Sequence, residues 1–329
     1  MAKTCKISKG TKLKELAEFF KLTPEQLKRY HNIYCPIEDL IEQEIPSHVR
    51  IVYVPPEGDE LVASMMEPVK RDPISYKAKN TLSNIRNYQR VYGVIYTISE
   101  NEVEKLKIHY RTSIKKEKDI ITITREEVYI NNERPDLVVE QMADKLSAVL
   151  YPLVLAINPD GTIKAIVNHK EIQERWRELK PKLNEYYQGE EAKGLFQRVN
   201  NIVKNKDQML NILRGDLFFS LFFIPLYQNF DDTQKSNTEI ELSIEGVIEL
   251  FDVIFSLSRE ISPTEKFIVK AEGTQQLIYP PVDDQNRREC AKLDFLYKLN
   301  LVDNSIFLIM GDITTVNKKV KFECYQQRS

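Results

Sequence analysis

Apolar positions recur every three or four residues over SKGTKLKELAEFFKLTPEQLKRYHN, and they roughly alternate one on, one off in several short runs from about residue 88 onward. The first pattern belongs to helices and the second to strands with one buried face. In the opening segment, Leu13, Leu16, Ala17 and Phe20 form one helical stripe, and Leu27 and Tyr30 form another. Thr23, Pro24 and Gln26 give the second helix an N-cap, a proline at its first position and a capping box. A short strand at KTCKIS precedes the helices, Gly10 and Thr11 turn the chain, and a strand at VRIVYVP closes it. The expected order is strand, helix, helix, strand.

Residues 55–80 carry four prolines and many charges without sustained periodicity, which predicts a linker. Beyond it the pattern turns to strands at RVYGVIYTIS, VEKLKIHYRTSI, DIITIT and EVYIN. A helix opened by Pro135 follows, with Leu137, Val138, Met142, Leu146, Val149 and Leu150 expected on its inner face. LVLAIN and TIKAIVN flank Pro159-Asp160-Gly161, a hairpin signal. Asn168 and Glu171 read as a capping box for a helix with a stripe of Ile172, Trp176, Leu179 and Leu183, which Pro181 is expected to kink or split. Helices at about 190–204 and 207–224 precede five strands, TEIELSI, KFIVKAE, LDFLYKLNLV, SIFLIMGDIT and VKFECYQQ, with Asp303-Asn304 suited to a tight turn. The segment 246–261 fits helix or strand. The pattern predicts an α+β protein. A small module at 1–56 and a linker at 57–87 lead into a domain at 88–329 with a curved antiparallel sheet and a helical cluster.

Composition narrows the function. Net charge is -2, whereas a dedicated nucleic-acid binder needs a basic excess, so no nucleic-acid partner is expected. Residues 1–30 hold eight Lys/Arg against three Glu, and residues 31–60 one Arg against seven acids, so the two stretches cancel when folded together. Four scattered cysteines, Cys5, Cys35, Cys290 and Cys324, make neither a disulfide scaffold nor a CxxC zinc site; a Cys5–Cys35 pair is the one bridge the first module could form. MAKTCKISKGTKLKEL lacks the apolar core of a signal peptide, and no run reaches the ~20 apolar residues of a membrane helix, so a cytoplasmic location is expected.

The opening βααβ pattern resembles the LysM family over residues 3–55. Gly10, Leu13, Leu16-Ala17, Leu27, Asn32 and the closing Val54-Pro55 stand where that family's motif has its turn glycine, apolar positions, helix-ending Asn and final proline. The resemblance implies a groove for N-acetylglucosamine polymers, peptidoglycan above all, formed by the turn after the first strand and the loop after the second helix. Gly10, Thr11, Lys12, Leu13 and Asn32 are its candidate glycan or docking residues. Two departures bear on it: Thr11-Lys12 replaces the family's Asp-Thr, and the loop IYCPIEDLIEQEIPSH is longer than usual. LysM-like modules also serve as docking pieces in type VI secretion, phage tails and related contractile injection systems. The resemblance therefore implies an adaptor whose partner is a protein of such an assembly, or its cargo.

No chemistry is spelled out for the rest. Gly-rich phosphate loops, HExxH and GxSxG are missing, so neither enzyme activity nor a cofactor or metal is expected. Ser113 and Lys116 satisfy SxxK without its companion motifs; His169 lies near Glu171 and Glu174; Cys290 follows Arg287 and Arg288. Phe218, Phe219, Phe222 and Phe223 fall on more than one side of a helix, as a core segment or as the lining of an apolar pocket or groove that carries an apolar ligand.

Overall fold

The computed structural model describes residues 2–36, 39–41, 44–56, 81–83, 86–244, 247–258, 266–276 and 290–327. The proposed linker therefore lies almost wholly outside the described residues. The chain opens with β1 (Lys3–Lys6), α1 (Leu13–Phe19), α2 (Pro24–Tyr34) and β2 (Ile51–Val54), and β1 pairs antiparallel with β2. The Thr23–Gln26 capping box forms in both directions. Leu13, Leu16, Ala17, Leu27, Ile41, Val52 and Val54 make a separate small core.

The larger part is α+β. Its strands are β3 (Tyr88–Glu100), β4 (Val103–Glu117), β5 (Ile120–Ile130), β6 (Leu153–Ile157), β7 (Ile163–Ile166), β8 (Lys235–Ile244), β9 (Val247–Leu257), β10 (Lys266–Gln275), β11 (Lys292–Asn300), β12 (Ile306–Thr314) and β13 (Lys318–Gln327). They form one antiparallel sheet in the order β7-β6-β5-β4-β3-β13-β12-β11-β10-β9-β8. The last strand thus closes beside the first, joining two meanders. Helices α3 (Val138–Ala148), α4 (His169–Tyr186), α5 (Glu190–Lys204), α6 (Lys206–Arg214) and α7 (Leu217–Phe222) come between β5 and β8.

A flat sheet of this many strands would be about 48 Å wide, at ~4.8 Å per strand spacing. Yet α6, a nine-residue helix about 13 Å long, packs against both outer strands, β7 and β8. The sheet must curl for both edges to reach it. Inside the curl lies α7, whose Phe222 and Phe218 meet Tyr92 of β3 and Tyr110 of β4 edge-on at 5.4 and 6.1 Å. On the other side, the Tyr297 hydroxyl of β11 donates to the Leu221 carbonyl at 3.1 Å. One helix is gripped by strands from both meanders.

Several expectations change. α4 runs unbroken through Pro181, because that residue and Arg177, whose carbonyl loses its partner, face solvent while Ile172, Trp176 and Leu183 stay buried. Asn168 precedes α4 but does not cap it: its side chain accepts from the Val154 N–H at 2.9 Å and donates to the Pro152 carbonyl at 2.8 Å, holding β6 instead. α3 begins at Val138, and Leu137 and Val138 are exposed rather than inward, so its buried side starts at Met142. The expected helix at 207–224 is broken into α6 and α7 at Gly215-Asp216, where the Asp216 carboxylate caps α7. The ambiguous 246–261 segment is strand over Val247–Leu257. All four cysteines, Cys5 and Cys35 included, are free thiols. No helix among the described residues is long and apolar enough to cross a membrane.

Candidate functional site

The small unit is seated on the outer face of the sheet, a geometry its sequence left open. Side chains alternate along β3: Tyr92 and Val94 enter the main core, while Ile95 points outward. Ile95, Tyr129, Leu308 and Tyr325 of the sheet close around Cys35 and Leu40 of the small unit, with Tyr53, Phe307 and Met310 at the edge. Gly93 lies under this contact; a Cβ there would stand 3.4 Å from Leu40, so the bare backbone admits the small unit closely.

A buried ion pair anchors the same contact. Lys28 of α2 donates to Glu323 of β13 at 2.9 Å and meets Glu25 at 3.2 Å, and the Tyr325 hydroxyl donates to the second Glu323 oxygen. Burial alone would push the Lys28 amine down, but Glu323 and Glu25 hold it above the usual lysine value. Gln327 adds a contact from its Nε2 to the Cys35 carbonyl at 3.5 Å.

The candidate groove residues divide. Gly10 keeps a left-handed φ of 86° with open space around it, and Thr11 donates to the Ser8 carbonyl at 2.9 Å, so the turn is exposed but locally tied. Lys12 precedes α1 without capping it. Leu13 and Asn32 lie inside the small unit. The long loop after α2 folds back onto both: Glu44 takes the Leu13 N–H at 3.2 Å, and the Asn32 carboxamide clasps Ile41 through its N–H and carbonyl at 2.9 and 2.8 Å. His31 binds the same loop, with Nε2 2.8 Å from the Asp39 carbonyl, while Nδ1 accepts from the Tyr53 N–H at 3.1 Å. Burial pushes that imidazole down to about 4, against the opposing Asp39 bond, so it is neutral at pH 7. The loop after α2 is thus tied to the start of α1 and to the end of α2.

Phe218, Phe219, Phe222 and Phe223 are buried at 2–6% exposure, and their rings pack on one another at 5.2–6.1 Å. They fill the curl as core.

The candidate chemistry does not assemble. Ser113 and Lys116 point to opposite faces of β4, as residues three apart on a strand must, and the Lys116 amine donates to the Arg86 and Lys118 carbonyls at 3.3 and 2.5 Å. His169 Nε2 is 2.8 Å from the Val203 carbonyl, joining α4 to the end of α5. No metal-holding group of His, Cys, Asp or Glu occurs among the described residues.

One titratable cluster escaped the sequence because its members come from four elements. Arg125 of β5 donates to Asp144 at 2.9 Å and to the Ser147 hydroxyl at 2.6 Å, and lies over the Tyr110 and Tyr151 rings at 5.9 and 5.3 Å. Protein atoms crowd Asp216 and push its carboxyl above the usual range, although solvent still reaches it; the Phe219 and Phe218 N–H groups and Arg125 oppose the shift. Among the described residues no hydrogen bond joins Asp216 to a tyrosine, so the cluster ties α3 and α7 to the sheet without forming an acid–base pair.

No family model matches the chain, and no curated protein matches it.

Proposed function

We propose that this protein is a non-catalytic adaptor in which the LysM-like module is a fixed docking element, and that the whole attaches to a bacterial secretion or contractile tail-like assembly through a protein partner. The observation that supports this reading is the loop after α2, whose Glu44 takes the Leu13 N–H and whose Ile41 is clasped by Asn32, so that two of the candidate groove residues are engaged within the small unit. The anchored seat on β13 agrees with it, since a module meant to sample a polymer gains nothing from being fixed by a buried ion pair. Attachment to that class of assembly rests on the family resemblance alone.

The test is co-sedimentation of the full chain with purified peptidoglycan at low and at high salt. Surface lysines such as Lys9, Lys12 and Lys14 give attraction that salt screens within about 10 Å at ~0.1 M. The expected outcome is weak retention at low salt, lost at high salt. Retention at high salt, abolished by Thr11→Trp in the exposed turn, would overturn the docking reading in favour of peptidoglycan binding.

A further inference from the structure

The start of α7 borders a polar recess inside the curl of the sheet. Asp216 caps that helix through one carboxylate oxygen, which accepts from the Phe218 and Phe219 N–H groups at 3.0 and 3.2 Å. Its other oxygen has no hydrogen-bond or ion-pair partner among the described residues, and solvent reaches the side chain. Protein atoms nonetheless crowd Asp216 closely enough to push its carboxyl above the usual range. The solvent it meets therefore lies in an enclosed space within the fold.

Tyrosines wall this space. The Phe218 ring, two residues from Asp216, meets Tyr110 of β4 edge-on at 6.1 Å. Tyr96 of β3 lies diagonally from Tyr110 on the same inner face, because Val94 is the residue paired with Tyr110. Arg125 lies over the Tyr110 and Tyr151 rings at 5.9 and 5.3 Å, which brings Tyr151 to the same place. The charge of Asp216 bears on all three phenols and helps to hold them protonated. Tyr110 is 7% exposed, and Tyr96 and Tyr151 are half-buried. Their hydroxyls have no hydrogen-bond partner among the described residues, and none is sealed from solvent as the Tyr187 hydroxyl is. Buried tyrosine hydroxyls ordinarily find a partner, so three open ones around one carboxylate mark a place for a ligand.

Charge selects the ligand. Arg125 donates to Asp144 at 2.9 Å, so its own charge is met there. Asp216 then leaves the cluster one negative charge in excess among the described residues. We propose that this recess binds a small molecule through its protonated amine, held by Asp216 as counter-ion and by the rings of Tyr96, Tyr110 and Tyr151. A cation gains from the carboxylate and from the aromatic faces together. An anion would be repelled by Asp216, and a neutral apolar molecule would leave the carboxylate and the hydroxyls unpaired. The site involves no residue of the small unit, so it stands or falls apart from the docking reading.

The experiment is calorimetric titration of the full chain with butylamine at about pH 7 and constant ionic strength, beside butan-1-ol and butyrate. An alkyl amine keeps its charge at that pH, as lysine does. The expected result is one saturable site for butylamine and none for the alcohol or the acid. Asp216→Asn should weaken butylamine binding roughly tenfold or more, the loss expected for a charged hydrogen bond. Asn caps a helix as well as Asp, so this variant should melt like the wild type. Absence of saturable butylamine binding to the wild-type chain overturns the proposal without any variant. Equal or tighter binding of butan-1-ol or butyrate overturns it as well, because the recess would then not read a positive charge. Unchanged affinity in a folded Asp216→Asn chain would remove Asp216 from the site and with it the proposal.

Discussion

His109 occupies the outer face of β4 with 0% exposure, stacked on Tyr129 at 5.0 Å and 5° between planes, and neither ring nitrogen has a hydrogen-bond partner. A buried imidazole in that state is held by packing alone. Burial pushes its pKa down to about 3, and Lys107 and His48 push the same way. The folded state therefore prefers the neutral ring. The stability this confers is complete above the unfolded value near 6.5 and declines as the pH falls toward 3. His109→Phe keeps the stacked ring and removes both orphan nitrogens. It should raise stability at pH 7 by about 1 kcal/mol, within the cost of an unsatisfied buried polar group. Its stability should also fall less than wild type between about pH 6.5 and 4. Urea midpoints across that range test both. His31 is the contrast: its nitrogens bind Asp39 and Tyr53, so His31→Phe should cost stability at neutral pH.

At the scale of elements, the β6–β7 hairpin shows what local sequence specifies. Pro159-Asp160-Gly161 marked the turn, and Gly161 adopts φ +97° there. A Cβ on Gly161 would meet the Tyr227 ring at 2.7 Å, and the Asp160 carbonyl accepts from the Tyr227 N–H at 3.0 Å, so the turn is clamped to the chain after α7. Gly161→Ala adds both a left-handed penalty and a clash with an aromatic ring. It should destabilise by about 2 kcal/mol or more, read as a lowered urea midpoint with unchanged slope. Alternation likewise marked nearly every strand, because each has one face in the core. Where the reading failed, a long-range partner prevailed. Asn168 serves β6 because Val154 and Pro152 are within its reach, and Leu137 and Val138 stay outside because the sheet meets α3 only from Met142 onward. Strand order was not legible. Nothing local to Lys318–Gln327 says that this strand pairs with Tyr88–Glu100. The candidate groove residues could be named from the motif, but the Glu44 contact to Leu13 could not, because only the folded loop brings the two together.

At the scale of the whole molecule, the small unit and the sheet share a buried contact between residues 295 positions apart, the Lys28–Glu323 pair. Its members come from the small unit and from the strand that joins the two meanders, so it fastens the small unit at the middle of the sheet. Both side chains are below 10% exposure, and the pair is desolvated on both sides. Removing one partner strands the other. Lys28→Met leaves the Glu323 carboxylate, among the described residues, with the Tyr325 hydroxyl alone, and Glu323→Leu leaves Lys28 with the half-exposed Glu25. Breaking a buried pair from one side costs about 3–5 kcal/mol, whereas replacing both members by apolar groups is often close to neutral. The double variant should therefore be more stable than the sum of the singles predicts, by at least ~1 kcal/mol, beyond the additivity expected of distant sites. Urea unfolding of the four proteins completes the cycle. The singles should also add an early transition as the small unit lifts from the sheet, whereas the double variant should unfold in one step like wild type. Strict additivity would mean that the small unit is not fastened through this pair and is held instead by the apolar contact around Cys35 and Leu40.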